Sequence, residues 1–377
     1  MATYHHGLKF TESAEGARYL RERSQSILGL VGIAADADVD VFPANTPVLL
    51  TDVRGAIAKA GANGTLAASL QAVADQADPV AVVIRTTAGA GGEGQPTTED
   101  NVVAAVELML TAQAALGVRP RVLGAPGLDT QDVAGELAAV AAQLRGFAYA
   151  SAAGDGADTV AEAVTYRGEF SARELMLLYP DARRAGVTVQ AVAAAMGLRA
   201  RIDQAAGWHK TISNVELRRI SGVTQPLTWD FESMETDAGV LNAADVTALI
   251  HNNGYRFWGN RTCSDDPVWA FESSVRTNAA IKDMIADGIQ WAADLPLHPS
   301  LVRDILEMIN LKGRELIRAG RLIGFEAWYD AEDNTTAALA AGKLRLRYRF
   351  TDTPPLEDLG VVVAKTDDFF FDFAARI

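Results

Sequence analysis

The sequence predicts an α/β fold joined to an α+β region, and three observations carry that prediction. From residue 79 onward, short apolar runs alternate with helical patterns, as right-handed crossovers feeding a parallel sheet require. After about residue 263 the alternation stops, and long amphipathic helices are followed by strand patterns. A length of 377 residues allows two to three units at roughly 150 residues each.

Residues 1–22 read as a polar arm. Leu8 and Phe10 alternate with polar neighbours, and Tyr4, His5 and His6 fall on no helical stripe. Residues 26–34 read as a buried strand in which Gly29 and Gly32 permit close backbone approach. Residues 48–51 form a second short strand after Pro43 and Pro47. In residues 65–76, Leu66, Leu70 and Val73 are spaced by four and three, the mark of a helix with one buried face. We group residues 23–78 as an N-terminal core segment.

Residues 79–262 read as the α/β domain. A strand at 80–84 precedes a helix at 99–116, which Gly117 closes as C-cap. A strand at 121–125, a helix at 131–144, a strand at 147–150 and a short helix at 159–164 continue the pattern. A strand at 174–179 ends at Pro180, and a helix follows at 187–206.

Residues 263–355 read as a separate C-terminal domain, with helices at 281–291 and 300–318. The second places Leu301, Ile305, Met308, Ile309 and Leu316 on one side and Arg303, Asp304, Glu307, Lys312 and Arg314 on the other. Gly342 ends an Ala-rich helical run. In the strand that follows, Lys343, Arg345, Arg347 and Arg349 face one way and Leu344, Leu346, Tyr348 and Phe350 the other. Pro354 and Pro355 break it, and residues 356–377 form an apolar tail containing Val361, Val363, Phe369 and Phe371.

Composition narrows the function. Lys and Arg total 34 against 48 Asp and Glu, a net charge of −14, and gripping nucleic acid or an anionic membrane needs local basic excess instead. Apolar residues are 49%, charged residues 22%, and mean hydropathy is +0.05, values of a folded protein. For an acidic chain this is somewhat apolar, which hints at surface buried against other chains. A lone Cys263 forms no internal disulfide and calls for no oxidising compartment. The apolar stretch 27–35 is too short to span a bilayer. Arg18, Arg21 and Arg23 precede it and copy a signal-peptide n-region, but the following Asp36, Asp38 and Asp40 favour synthesis in the cytoplasm.

Catalytic and ligand motifs fail on their context. Gly89, Gly91 and Gly94 spell a dinucleotide fingerprint after a strand, and a nucleotide-dependent oxidoreductase built on residues 79–206 is the rival function. Its last glycine does not open the helix, however: Thr97 and Asp100 form a capping box instead, and the strand at 121–125 runs out in Gly124, Ala125, Pro126 and Gly127 with no acid to hold a ribose hydroxyl. Asp36, Asp38 and Asp40 imitate a calcium loop whose sixth and twelfth places are Val41 and Pro47 rather than Gly and Glu. His5 and His6 have no third ligand near in sequence, and His209, His251 and His298 are scattered. Cys263 with His251, the latter read at a helix end, is better explained as a small semi-buried residue than as a nucleophile pair. No catalytic, cofactor or metal site is assigned. The basic face 343–349 carries no aromatic residue for stacking on bases. Acidic groups of a neighbouring subunit or domain and a solvated edge guarded by charge both remain open for it.

One segment is more specific than these motifs. Gly254, Tyr255, Arg256, Phe257, Trp258, Gly259, Asn260, Arg261 and Thr262, followed by Asp265, Asp266, Pro267, Val268 and Trp269, resemble the hallmark of contractile tail sheath proteins of bacteriophages and R-type phage-tail-like bacteriocins. Trp258, Gly259, Arg261, Thr262, Pro267 and Trp269 carry that resemblance. Residues 4–7, 27–32 and 42–49 look like the P2-like branch. The chain lacks the long outer insertion of larger sheaths, and residues 271–276 are a looser version of the basic stretch that follows the hallmark.

The resemblance implies a structural protein without catalysis or cofactor. Such proteins polymerise as stacked six-fold rings into a helical sheath around a tail tube, and contraction drives the tube through the target envelope. It implies a non-catalytic, subtilisin-like α/β domain, a C-terminal domain against the tube, and arms that add strands to neighbours. The arm contacts would be Tyr4, Leu8, Phe10, Val361, Val363, Phe369 and Phe371. Lys343, Arg345, Arg347 and Arg349 would belong to the receiving sheet, and Arg303, Glu307 and Lys312 would touch the tube. The implied partners are further copies of the chain, the tail tube protein, and baseplate and terminator proteins, with no nucleic acid and no membrane. The implied location is a phage tail or bacteriocin particle assembled in the host bacterial cytoplasm.

Overall fold

The computed structural model describes Leu20, residues 24–90 and residues 95–372. β1 (Leu28–Ile33) and the short β2 (Pro47–Leu50) come first. α1 (Val53–Ala56) follows, capped by the Asp52 carboxylate accepting from Gly55 N–H, and then α2 (Leu66–Gln76). β3 (Ala81–Thr86) leads to α3 (Thr98–Glu107), which opens on a reciprocal Thr97–Asp100 capping box. A 3-10 turn at Leu108–Thr111 joins α3 to α4 (Ala112–Leu116), so the helix expected at 99–116 is tightened in its middle. It ends on Gly117 at φ 73°, the left-handed C-cap the sequence predicts.

β4 (Val122–Gly124), α5 (Gln131–Leu144), β5 (Phe147–Ser151), α6 (Val160–Arg167) and β6 (Leu175–Tyr179) continue the alternation. The expected helix at 187–206 then starts late. β7 (Ala182–Arg184) and β8 (Val187–Val189) pair as a hairpin before α7 (Ala191–Ala205) begins. The cause is local: Val187, Thr188 and Val189 are β-branched, and Ala185 and Gly186 both take positive φ in the two-residue turn. β9 (Gly222–Val223) completes this small antiparallel sheet.

Next come α8 (Asp237–Ala243), β10 (Val246–His251) and β11 (Tyr255–Trp258), so His251 ends a strand rather than a helix. α9 (Glu272–Ile289) begins well before the expected 281, and α10 (Pro299–Arg318) lies where predicted. β12 (Leu322–Tyr329), which the sequence pattern does not single out, α11 (Thr336–Ala340) and β13 (Leu346–Asp352) follow.

The main sheet has the order β11-β10-β6-β5-β4-β1-β3-β2. From β3 to β10 every neighbouring pair is parallel, while β2 and β11 are antiparallel edges. β1 sits centrally between β3 and β4, so the segment set apart at 23–78 contributes to the same sheet as residues 79–262. Leu28, Leu30 and Val83 face a layer containing α2 and α7. Val31, Val82 and Ile84 face the opposite layer, with α3, α5, α6 and α8. Strands covered on both faces read as nearly continuous apolar runs, and Gly29 lets them close up, since a Cβ there would lie 2.5 Å from Leu123 Cδ2.

In the C-terminal region α10 packs its Ile305, Met308, Ile309 and Leu316 face on the antiparallel pair β12–β13. Leu20 joins the same cluster, 5% exposed beside Ile305 and Ile309.

Candidate assembly site

The hallmark residues form the corner where the main sheet meets α9. β11 is held to β10 from His251↔Tyr255 to Ala248↔Trp258, and the chain then turns at Gly259, φ 134°, where a Cβ would lie 2.9 Å from Thr247 Cα. Only glycine fits that approach and that backbone. Trp258 packs edge-on against Trp229, centroids 5.3 Å apart. Thr262 is buried; its hydroxyl donates to Trp269 O at 2.9 Å and its N–H to Ala270 O at 2.8 Å. Cys263 N–H donates to Leu175 O at 2.8 Å, fastening the loop to β6. Pro267 opens the 3-10 turn Pro267–Trp269, and Arg173 lies 4.8 Å over the Trp269 ring. Arg261 stacks 5.6 Å over Phe271 and donates to both carboxylate oxygens of Glu357, at 2.9 and 2.6 Å.

From this corner α9 enters the protein and carries charge into it. Glu272 and Arg276 are 0% and 3% exposed. Arg276 pairs with Asp203 on α7, Arg199 reaches Asp203 at 2.8 Å and Glu272 at 3.4 Å, and Tyr149 O–H donates to Glu272 at 2.5 Å. These carboxylates hold the Arg276 guanidinium well above its ordinary range despite the burial that works against it. Further along α9, the buried Asp283 pairs with Arg121 at 2.5 Å and Arg145 at 3.1 Å. Sequence reading missed this seam, treating residues 271–276 only as a basic stretch. The available signal was Glu272 and Arg276 four apart, but that spacing equally suits a solvated helix face.

The basic strand is partly as expected. Arg347 and Arg349 are exposed while Leu346, Tyr348 and Phe350 turn inward, but Lys343 and Arg345 precede β13 and so are not on its ladder. The cations meet acids of their own hairpin: Arg347 pairs with Asp330 at 3.0 Å and with Asp333, and Arg349 pairs with Glu326 at 2.6 Å. β12 also supplies the aromatic residue that the basic face itself lacks, with Arg349 5.6 Å over Trp328. Each of the two strands keeps one edge without a partner strand among the described residues.

On α10, Arg303 and Glu307 are exposed as predicted, whereas Lys312 is 7% exposed. It lies one turn beyond Met308 and three residues beyond Ile309, which puts its stem on the buried face. Its Nζ emerges to Glu315 at 2.8 Å, so it is not part of the exposed basic side.

The C-terminal residues stand uncovered: Val361 is 74%, Val363 88% and Phe371 98% exposed. Phe369 falls in the short 3-10 turn Asp368–Asp372, its side chain outside the described residues, as are Tyr4, His5, His6, Leu8 and Phe10.

The ligand-like motifs have structural work. Gly89 N–H donates to the Thr98 hydroxyl at 2.9 Å, while Gly91 and Gly94 lie outside the described residues. Asp36 accepts from the N–H groups of Ala62 and Asn63, and these bonds lower its pKa. Asp38 pairs with Lys59 at 2.9 Å. Cys263 is buried, which pushes its thiol up to about 12, far from a reactive thiolate. His298 caps α10, accepting from Ser300 N–H at 3.3 Å. Among the described residues, no three His, Cys, Asp or Glu side chains are grouped to hold a metal, and no helix is long and apolar enough to cross a membrane.

Comparison with known proteins agrees over nearly the whole chain. Residues 101–263 match the phage tail sheath protein central domain, and residues 264–364 match the phage tail sheath C-terminal domain. The tail sheath protein of Escherichia phage P2 is 43% identical over 395 residues, covering 100% of this chain and 99% of that protein. The major tail sheath protein of Serratia phage KSP20 is 38% identical, covering 97% and 96%. In structure, a chain of the anti-feeding prophage baseplate gives a TM-score of 0.74 at 16% identity, covering 97% of this chain and 100% of that one. A chain of the anti-feeding prophage helical sheath in its contracted state gives 0.73 at 17%, covering 96% and 99%. The named sequence relatives are structural tail proteins and not enzymes, which sets aside the oxidoreductase reading of residues 79–206.

Proposed function

The chain belongs to the phage tail sheath family, and on that premise we propose that it polymerises as stacked six-fold rings into a contractile sheath around a tail tube. Contraction then drives the tube through the envelope of a target cell. The observation that carries the reading is the uncovered apolar tail, with Val362 and Phe371 each 98% exposed. Burying a valine or phenylalanine side chain contributes roughly 1.5–3 kcal/mol, so such a tail gains most by lying against another copy. Likeness of fold to a chain of a contracted helical sheath supports the same reading.

In this mechanism residues 1–22, held to their own subunit at Leu20, and residues 356–377 are arms that add strands to the β12–β13 pair of neighbours, with Arg347 and Arg349 on the receiving sheet. Each ladder hydrogen bond contributes about 0.5–1.5 kcal/mol net, so a few per arm keep subunits linked while they rotate. The parallel-sheet domain is the rigid body that is carried, a non-catalytic relative of the subtilisin fold. Arg303 and Glu307 on α10 face the tube. The contacts are heterologous, which lets the lattice grow as a helix, and the contracted lattice buries more surface than the extended one. Baseplate and terminator proteins bound its two ends, and the particle assembles in the bacterial cytoplasm. Electron microscopy of the purified protein tests the proposal. Hollow striated tubes or six-fold rings are expected, and a protein that stays monomeric at high concentration overturns it.

A further inference from the structure

The root of the C-terminal arm is tied to the hallmark by one side-chain pair. After Pro354 and Pro355 the chain has no regular structure until Asp368–Asp372, and Leu356, Leu359 and Val362 are 78%, 69% and 98% exposed. Among the described residues 354–367, Glu357 is the one whose side chain is hydrogen-bonded to the body of the protein, through the paired contacts with Arg261 at 2.9 and 2.6 Å. A two-point arginine–carboxylate pair fixes direction as well as distance. Arg261 is itself placed from below, by the Phe271 ring at 5.6 Å and by the backbone bridge between the same two residues.

A second acid stands behind it. Asp245 lies 3.7 Å from Arg261 Nη1 and also pairs with Arg167 at 3.2 Å. If Glu357 withdraws, Arg261 still has a carboxylate to turn to, so opening leaves no cation without a counter-charge. The pair is also half exposed, at 40% and 38%, and such pairs hold weakly one at a time. A contact that is directional, weak and backed by an alternative partner suits a part that must hold and then let go.

We propose that Arg261 is a latch for the C-terminal arm: in the free subunit it aims the arm's root through Glu357, and it passes to Asp245 when a neighbouring copy draws the arm away. This rests on the reading of residues 356–377 as an exchanged arm, and the test separates the two. Spin labels are placed at Val361→Cys and Val187→Cys, both native side chains being exposed, while the buried Cys263 stays unlabelled. In the unassembled full-length subunit a narrow distance component is expected. Glu357→Gln should lose it, and Asp245→Asn, which removes the competing acid, should enlarge it. Asparagine suits the positive φ of 58° at that position. An unchanged distribution in Glu357→Gln, a substitution at an exposed site, overturns the latch. In assembled sheath diluted with unlabelled subunits, the narrow component should vanish. If it persists there, arm exchange fails and so does the release half of the proposal, while the Glu357→Gln result still decides the tether.

Discussion

Arg276 grips Asp203 through both carboxylate oxygens, Nη1 to Oδ1 at 2.9 Å and Nη2 to Oδ2 at 2.7 Å, with the two side chains 3% and 2% exposed. The pair joins α9 to α7, and therefore the C-terminal region to the main sheet layer. Arg276→Ala leaves Asp203 and Glu272 to share Arg199, which reaches both. Removing one partner of a buried charged group destabilises by about 3–5 kcal/mol. Urea unfolding of the variant should show that loss, and a change near zero would mean the seam is solvated in solution.

The two cations proposed together for the tube face should separate in experiment. Arg303→Glu, on the exposed side of α10, should leave the unfolding midpoint unchanged and weaken co-assembly with tube protein. Lys312→Glu puts a carboxylate on the buried face beside Glu315 and should cost about 1–3 kcal/mol of stability. Equal tube binding by wild type and Arg303→Glu would exclude this face from the contact.

Deleting residues 1–15 removes arm sequence but spares Leu20, which packs with Ile305 and Ile309. The subunit should remain folded by circular dichroism yet form no sheath. Long tubes from the truncated protein would show that the N-terminal arm is dispensable.

Stability should carry a pH signature from Asp129. Its carboxylate accepts from Ser151 N–H at 2.5 Å, but burial foremost, with Asp181 acting in the same sense, raises its pKa to about 6. The folded state then binds a proton more readily than the unfolded chain, whose aspartate titrates near ~3.9. Stability therefore falls as pH rises from roughly 4 through 6, and the full penalty of the buried anion applies above that. Asp129→Asn keeps a carbonyl acceptor and loses the charge. It should gain about 2–3 kcal/mol at pH near ~8 and lose the slope, as urea titrations at two pH values can check. A parallel pH dependence in the variant would assign the slope elsewhere.

Much of this protein was legible in order of residues alone. Strands covered on both faces read as nearly continuous apolar runs, so residues 81–84 of β3 and all of β6 stand out. The helix at Gln131–Leu144 and the inward alternation of Leu346, Tyr348 and Phe350 follow from period alone. The hallmark around Trp258 and Arg261 pointed to the family before any fold was known. Tertiary structure decided the rest, because it depends on which surfaces meet. Local period says a strand exists but not its neighbours, so the central place of β1 between β3 and β4 had to be seen. Glu272 and Arg276 look like a solvated helix face until α7 is laid across them, and Lys312 counts as exposed until β12 covers its turn. Arg261 and Glu357 are 96 residues apart; only the folded chain brings the hallmark to the root of its own arm.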